Sequence, residues 1–245
     1  MDVIVPDWPV AANVRAICTT RNGGVSTGHY ASLNLGNHVG DDPRCVARNR
    51  GLAAEAMHAR PVYMEQVHGT GVARLDGRSG DGIRADGCFT SEPRIGCTIM
   101  VADCLPVLIA AGDGSCVAAA HAGWRGACEG VIEATVAAMG AAPASLVAWL
   151  GPCIGPEAFE VGEEVRAAFV ARDPQATSHF RALREGKWLA DLPALARMRL
   201  RSQGITRIHG NDGSRAWCTV SNPSRFFSHR RDRVSGRFAA AVWLA

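Results

Sequence analysis

The stretch Val101–Gly126, "VADCLPVLIAAGDGSCVAAAHAGWRG", sets an Asp-Cys pair between two apolar runs and a His at the end of a third. "GCTIMV" before the pair, "LPVLIAA" after it and "SCVAAAH" further on all have the length and apolar character of buried strands. Packing alone seldom puts three reactive groups, here Asp103, Cys104 and His121, at the ends of such strands, because each polar group there needs a partner.

Outward from this stretch, strand and helix signals alternate. "DDPRCVARNRGLAAEAM" reads as a helix with Asp42 as its cap and Pro43 in its first turn. "VYMEQVHG" is strand-like and ends at His68-Gly69. "GWRGACEGVIEATVAAMG" reads as a loop feeding one helix that stops at Gly140, and "DLPALARMRLRSQG" as a second helix, capped by Asp191 and ended by Gly204. "ITRIHG" and "GRFAAAVWLA" are late strands, and "TTRNGGVSTG" is a turn-rich loop. Several strands are adjacent rather than separated by helices. The expected fold is therefore α/β with mixed sheets in layers, not a pure Rossmann array. With no linker, repeat or low-complexity tract, residues 1–245 read as a single domain, long enough to bury a full core.

Composition excludes several functions. The net charge of +3 is too small to argue for nucleic acid, and almost all the positive charge is arginine, Lys187 being the only lysine. Arg197–Arg237 is locally basic, as either a solvated face or an anion site. The nine cysteines include no C-x-x-C pair, and "MDVIVPDWPV" lacks the marks of a secretory signal. Reduced thiols in the cytoplasm are expected. The apolar region Cys97–Ala111 is interrupted by Asp103 and Pro106, so no membrane span is expected.

His68, Cys104 and His121 each lie where a strand ends or breaks, and strand ends on one sheet edge converge on ligand sites. Two imidazoles and a thiolate suit zinc, and three protein ligands leave one position open, as in catalytic sites. The spacings of 36 and 17 positions contain no local metal motif. His68 also fits a turn residue, Cys104 a small buried hydrophobe and His121 a loop cap. Asp103 fits either a proton-handling group facing the pocket or a partner of a ligand histidine. In "HAGWRG", Gly123 and Gly126 let the backbone approach a ligand, and a helix start with Arg125 beside it suits an anion.

The segments "TTRNGGVSTGHYASLNLGNHVGDD", "EQVHG", "ADGCFT", "VADCLPVLI", "HAGWRG", "GPCIGPEAFEVGEEV" and "FFSHRRD" occur in order. Together they resemble the YfiH/YlmD family, bacterial relatives of the human laccase-domain protein, from about Ile17 to Ala240. The resemblance implies an α/β/β/α fold related to cysteine-hydrolase-like domains. It also implies zinc-dependent phosphorolysis of the purine nucleosides adenosine, inosine and methylthioadenosine, with adenosine deamination as a further activity. The family's zinc ligands correspond to His68, Cys104 and His121. Catalytic roles then fall to Asp103 and Cys104, and phosphate or nucleoside contacts to Arg21, Asn34, Arg125 and Arg230. His229 stands where the family pattern has a tyrosine. Copper oxidase chemistry is disfavoured, since the eight histidines form no H-x-H pair. Two alternatives stay open: an amide hydrolase using zinc-bound hydroxide or Cys104, as in editing of a peptidoglycan precursor, and a metal- or nucleotide-binding module without turnover. Protein partners are not legible.

Overall fold

The computed structural model describes all 245 residues, Met1–Ala245. In chain order the strands are β1 (Val3–Ile4), β2 (Val14–Thr19), β3 (Arg60–Tyr63), β4 (Val72–Arg74), β5 (Gly87–Thr90), β6 (Ile95–Val101), β7 (Leu105–Ala111), β8 (Val117–Ala122), β9 (Leu146–Leu150), β10 (Glu160–Gly162), β11 (Phe180–Arg184), β12 (Lys187–Ala190), β13 (Arg207–Gly210) and β14 (Phe238–Leu244). The helices are α1 (Pro43–Met57), α2 (Trp124–Glu129), α3 (Val131–Met139), α4 (Glu163–Arg172), α5 (Leu192–Ser202) and α6 (His229–Asp232). One sheet has the order β1-β2-β14-β6-β3 and a second the order β13-β9-β7-β8-β5-β4, both mixed; β10-β12-β11 form a small antiparallel sheet.

Side-chain alternation along the strands creates the layers. On β6 and β14, Cys97, Ile99, Val101, Phe238, Ala240 and Val242 face the second sheet and meet Leu108, Ala110, Val117, Ala119 and Trp149. The opposite face of the first sheet, with Tyr63, Met100, Ala239, Ala241 and Trp243, packs on Ala53 and Met57 of α1. The far face of the second sheet, including Val107, Ile109, Ala118 and Ala148, is covered by α3 and α5. The result is the expected α/β/β/α stack. Every residue of β6, β7, β8, β9 and β14 is buried, which explains their unbroken apolar runs.

The two capped helices form as expected. Asp42 accepts from the Arg44 amide and Asp191 from the Ala194 amide, with prolines in both first turns. Two expectations are corrected. The helix expected up to Gly140 is two helices, because Gly130 at φ +108° ends α2 and starts α3. The strand expected through His68 stops at Tyr63, and the chain continues as an irregular loop. β2, the β10–β12 sheet and α4 were not read from sequence: the burial alternation of β2 is irregular and β10 spans three residues.

The inter-sheet layer is predicted to carry much of the stability. Ile99→Ala, at a fully buried position, is expected to cost about 2–5 kcal/mol in denaturant unfolding. A cost below about 1 kcal/mol would contradict tight packing between the sheets.

Candidate metal centre

The two sheets open at one rim, where the ends of β3, β6 and β8 and the start of β7 come together. His121 has the same strand parity as Val117 and Ala119, so it projects into the inter-sheet layer just at that rim. Between β6 and β7 the backbone turns through Ala102–Cys104, with Asp103 at φ +96°. This turn releases Cys104 from strand geometry. The loop after β3 reaches the same place, tied to β6 by Gln66, whose amide donates to the Met100 carbonyl at 2.8 Å and accepts from the Met100 amide at 2.9 Å.

The ligand atoms of His68, Cys104 and His121 all lie within 4.8 Å of one another, and they form the one such cluster in the chain. Cys104 Sγ is 3.8 Å from His68 Nε2. Donors around a tetrahedral zinc, with bonds of ~2.0–2.1 Å to nitrogen and ~2.3 Å to sulfur, lie roughly 3.5 Å apart. The three residues therefore fit one metal ion with little movement. Gly123 makes room for them: a Cβ there would lie 2.9 Å from His68 Cδ2 and 3.0 Å from Cys104 Sγ.

A carboxylate that sequence reading did not single out, Asp86, holds this cluster together. It is fully buried before β5. Its oxygens face His121 Nδ1 at 2.8 Å and accept from the amides of Val67 at 3.1 Å, His68 at 2.9 Å and Gly69 at 2.7 Å. Three successive amides can converge on one carboxylate because His68 sits at φ +61°. With Nδ1 engaged, His121 offers Nε2 to a metal. Burial opposes ionisation of Asp86, but the hydrogen bonds from His121, Gly69 and Val67 hold its carboxyl below the usual range. Burial also pushes the Cys104 thiol up, but His121 and His68 outweigh it and bring the thiol to about 6. Burial pulls His121 down, while Cys104 and Asp86 raise it to about 9. Without metal, Cys104 and His121 thus form a thiolate–imidazolium pair.

Asp103 borders the cleft, but its carboxylate does not touch a ligand histidine. It accepts from Thr219 Oγ1 at 2.6 Å and from the Arg230 amide at 2.6 Å, joining the β6–β7 turn to α6. The partner of a ligand histidine is Asp86. Of the expected anion-binding residues, only Arg230 lines the cleft. Arg125 is exposed, stacks on Trp124 with its guanidinium carbon 4.3 Å from the ring centre, and borders a separate surface groove. The helix expected to start near Gly126 starts at Trp124 and is six residues long. Arg21 stacks on Phe227 and donates to the carbonyls of Ala31 and Pro223. Asn34 is fully buried and accepts from the Arg237 amide at 2.8 Å. All nine cysteines are free, and Cys153 is fully buried.

The cluster opens into a cleft of about 900 Å³, within the range of small-molecule sites. Trp124, Phe159 and Leu192 supply apolar walls, and His38, His229, Arg230, Arg233 and Arg237 supply polar and cationic ones. His229 is exposed in the cleft.

A family model described as multi-copper polyphenol oxidoreductase laccase matches residues 15–245. The chain belongs to this laccase-domain family. Within it, a Pseudomonas aeruginosa protein named purine nucleoside phosphorylase is 50% identical over 242 residues, covering 98% of both chains. Purine nucleoside phosphorylase YfiH of Escherichia coli is 48% identical over 245 residues, covering 99% of this chain and 98% of that one. The laccase-domain fold is shared with a solved Neisseria meningitidis protein at TM-score 0.96 and 45% identity, covering 100% of this chain and 99% of the other. It is also shared with YlmD of Geobacillus stearothermophilus at TM-score 0.88 and 32% identity, covering 95% and 92%. No helix is long and apolar enough to cross a membrane.

Asp86→Asn keeps the shape of the carboxylate but removes its charge, and is expected to weaken metal binding ~10–100-fold, measured by competition with a chelating dye. Unchanged affinity would mean that the ligands hold themselves in place. In metal-free protein, Cys104 is expected to be alkylated at pH 7 before the other eight cysteines. Its lowered thiol predicts that this rate falls as pH drops through about 6. Peptide mapping that finds another cysteine labelled first would contradict the ion pair.

Proposed function

We propose that this protein is a zinc-dependent purine nucleoside phosphorylase acting on adenosine, inosine and methylthioadenosine. The observation that carries the reading is the His68–Cys104–His121 cluster at the wall of a cleft that is aromatic on one part and cationic on another. The relatives named as purine nucleoside phosphorylases, similar over nearly their whole length, support it.

Phosphorolysis breaks the bond between the purine nitrogen and ribose C1′ while a phosphate oxygen bonds to C1′. The purine leaves with the electron pair and takes up a proton. Trp124 and Phe159 offer flat apolar surface to a purine ring. The arginines offer charge to phosphate. His68, Cys104 and His121 would hold zinc, which when bound supplies a Lewis acid at that wall. Asp86 keeps both histidines oriented. Asp103 acts through its partners, since both its oxygens are occupied, and sets the position of Arg230 above the β6–β7 turn. Four coppers would need several ligand clusters, and the chain has one, which favours a single zinc. Adenosine deamination would use the same cleft but a different bond: water would add at purine C6 and the 6-amino group would leave as ammonia.

One observation favours a second reading. The lowered Cys104 thiol 3.8 Å from His68 is also the arrangement of a cysteine nucleophile in a metal-free amide hydrolase.

One assay separates the two. Incubated with adenosine or inosine, the protein is expected to release free base and ribose 1-phosphate only when phosphate is added. A chelator should stop the reaction and zinc restore it, and Cys104→Ala should lower turnover by at least about two orders of magnitude, the scale of losing one catalytic component. Phosphate-independent turnover that survives the chelator would favour the hydrolase.

A further inference from the structure

We propose that Arg237, with His38 as its neighbour, is the subsite that holds inorganic phosphate. This rests on the phosphorylase reading for the identity of the anion; the anion site itself rests on geometry. Arg237 lines the same cleft as the ligand cluster. Its side chain is anchored from behind: one terminal nitrogen donates to the carbonyls of Ser235 and Gly236, both at 3.0 Å. Its backbone is pinned as well, because its amide donates to Asn34 Oδ1 at 2.8 Å and its carbonyl accepts from the Leu35 amide at 2.9 Å.

The other edge of the guanidinium, Nε and the second terminal nitrogen, has no partner on the protein. That edge presents two parallel N–H groups, the geometry that matches two oxygens of a phosphate. None of the eight ion pairs in the chain involves Arg230, Arg233 or Arg237. A half-buried guanidinium edge that no carboxylate pairs directly is costly to desolvate unless a ligand supplies the contact.

The surroundings give its position. Cys104 and Asp103 are the strongest acidic influences on Arg237, so its charge lies within electrostatic reach of the ligand cluster. His38, Arg50 and Arg237 line the same cleft; burial and the charges of Arg237 and Arg50 disfavour a protonated His38, and Arg50 is engaged with Asp81 and the Leu35 carbonyl. Arg237 is therefore the less committed of the two cations near His38. Arg230 already uses one terminal nitrogen on the Glu160 carbonyl. The sequence-expected Asn34 contributes indirectly, as the anchor of the Arg237 backbone.

The test uses the purified, zinc-loaded protein and inorganic phosphate. Arg237→Gln is expected to raise KM for phosphate at least ~10-fold, the scale of a lost charge-assisted hydrogen bond, with KM for the nucleoside within about twofold. Phosphate should also raise the melting temperature of the wild type and not that of Arg237→Gln. Arg237→Lys keeps the charge without the paired edge. It should show an intermediate KM and covers the case in which the glutamine variant does not fold. Phosphorolysis with phosphate KM unchanged in both variants would overturn the subsite and leave the phosphorylase reading intact. A wild type that shows no phosphorolysis, yet is stabilised by phosphate only when Arg237 is present, would remove that reading and keep the subsite. The same loss in Arg125→Gln rather than Arg237→Gln would overturn it, as would Arg237-dependent binding of adenosine 5′-monophosphate without binding of free phosphate.

Discussion

A single buried carboxylate organises the functional end of this molecule. Asp86 sits at the start of β5, out of contact with water, and four donors converge on it from two separate stretches of chain. Burying a carboxylate is unfavourable in itself. Here the cost is offset by three backbone amides and an imidazole, so the anion is stable only when the loop at residues 67–69 and β8 occupy these positions. The same contacts that satisfy Asp86 aim two imidazoles at Cys104. Removing the charge would leave three amides and a ring nitrogen facing a weaker acceptor, and would loosen both ligands together.

Asp103 repeats this logic on the other side of the rim. Its carboxylate links the β6–β7 turn to Thr219 and to the amide of Arg230, segments more than a hundred residues away. Asp103 thus ties the turn to α6 at the border of the cleft, and its neighbour Cys104 faces the cleft. Two buried carboxylates, Asp86 held by three amides and an imidazole and Asp103 by one amide and a hydroxyl, thus fix the two walls of the cleft. This suits an enzyme, because the ligand groups are held before any substrate arrives rather than ordered by it.

The laccase description of the family and the phosphorylase names of its relatives point to different chemistry, and both have to be met by the same small donor set. One thiolate and two imidazoles make one site with an open side. That one cluster beside a cleft of about 900 Å³ is the geometry on which the proposed phosphorylase reading rests.

Some of this was determined by residue order alone. The apolar runs of β6, β7, β8 and β14 declare themselves as buried strands because every one of their residues lies inside a two-sided layer. The caps of α1 and α5 are local contacts within three residues of Asp42 and Asp191, so they too are legible. His68, Cys104 and His121 could be picked out because polar groups ending apolar strands need a reason to be there. Tertiary structure alone decided the rest. Which carboxylate partners His121 depends on the pairing of β5 with β8, a contact across 35 positions, and Asp103 and Asp86 look alike until that pairing is made. Which arginines reach the cleft depends on side-chain direction: Arg125 and Arg21 are drawn onto Trp124 and Phe227, while Arg237, in an unremarkable basic tail, is held at the cleft by the Ser235 and Gly236 carbonyls with its backbone pinned by Asn34. Periodicity reports which face of an element is buried, but the destination of a long, flexible cation is set by aromatic faces and carbonyls that only the folded chain brings near it.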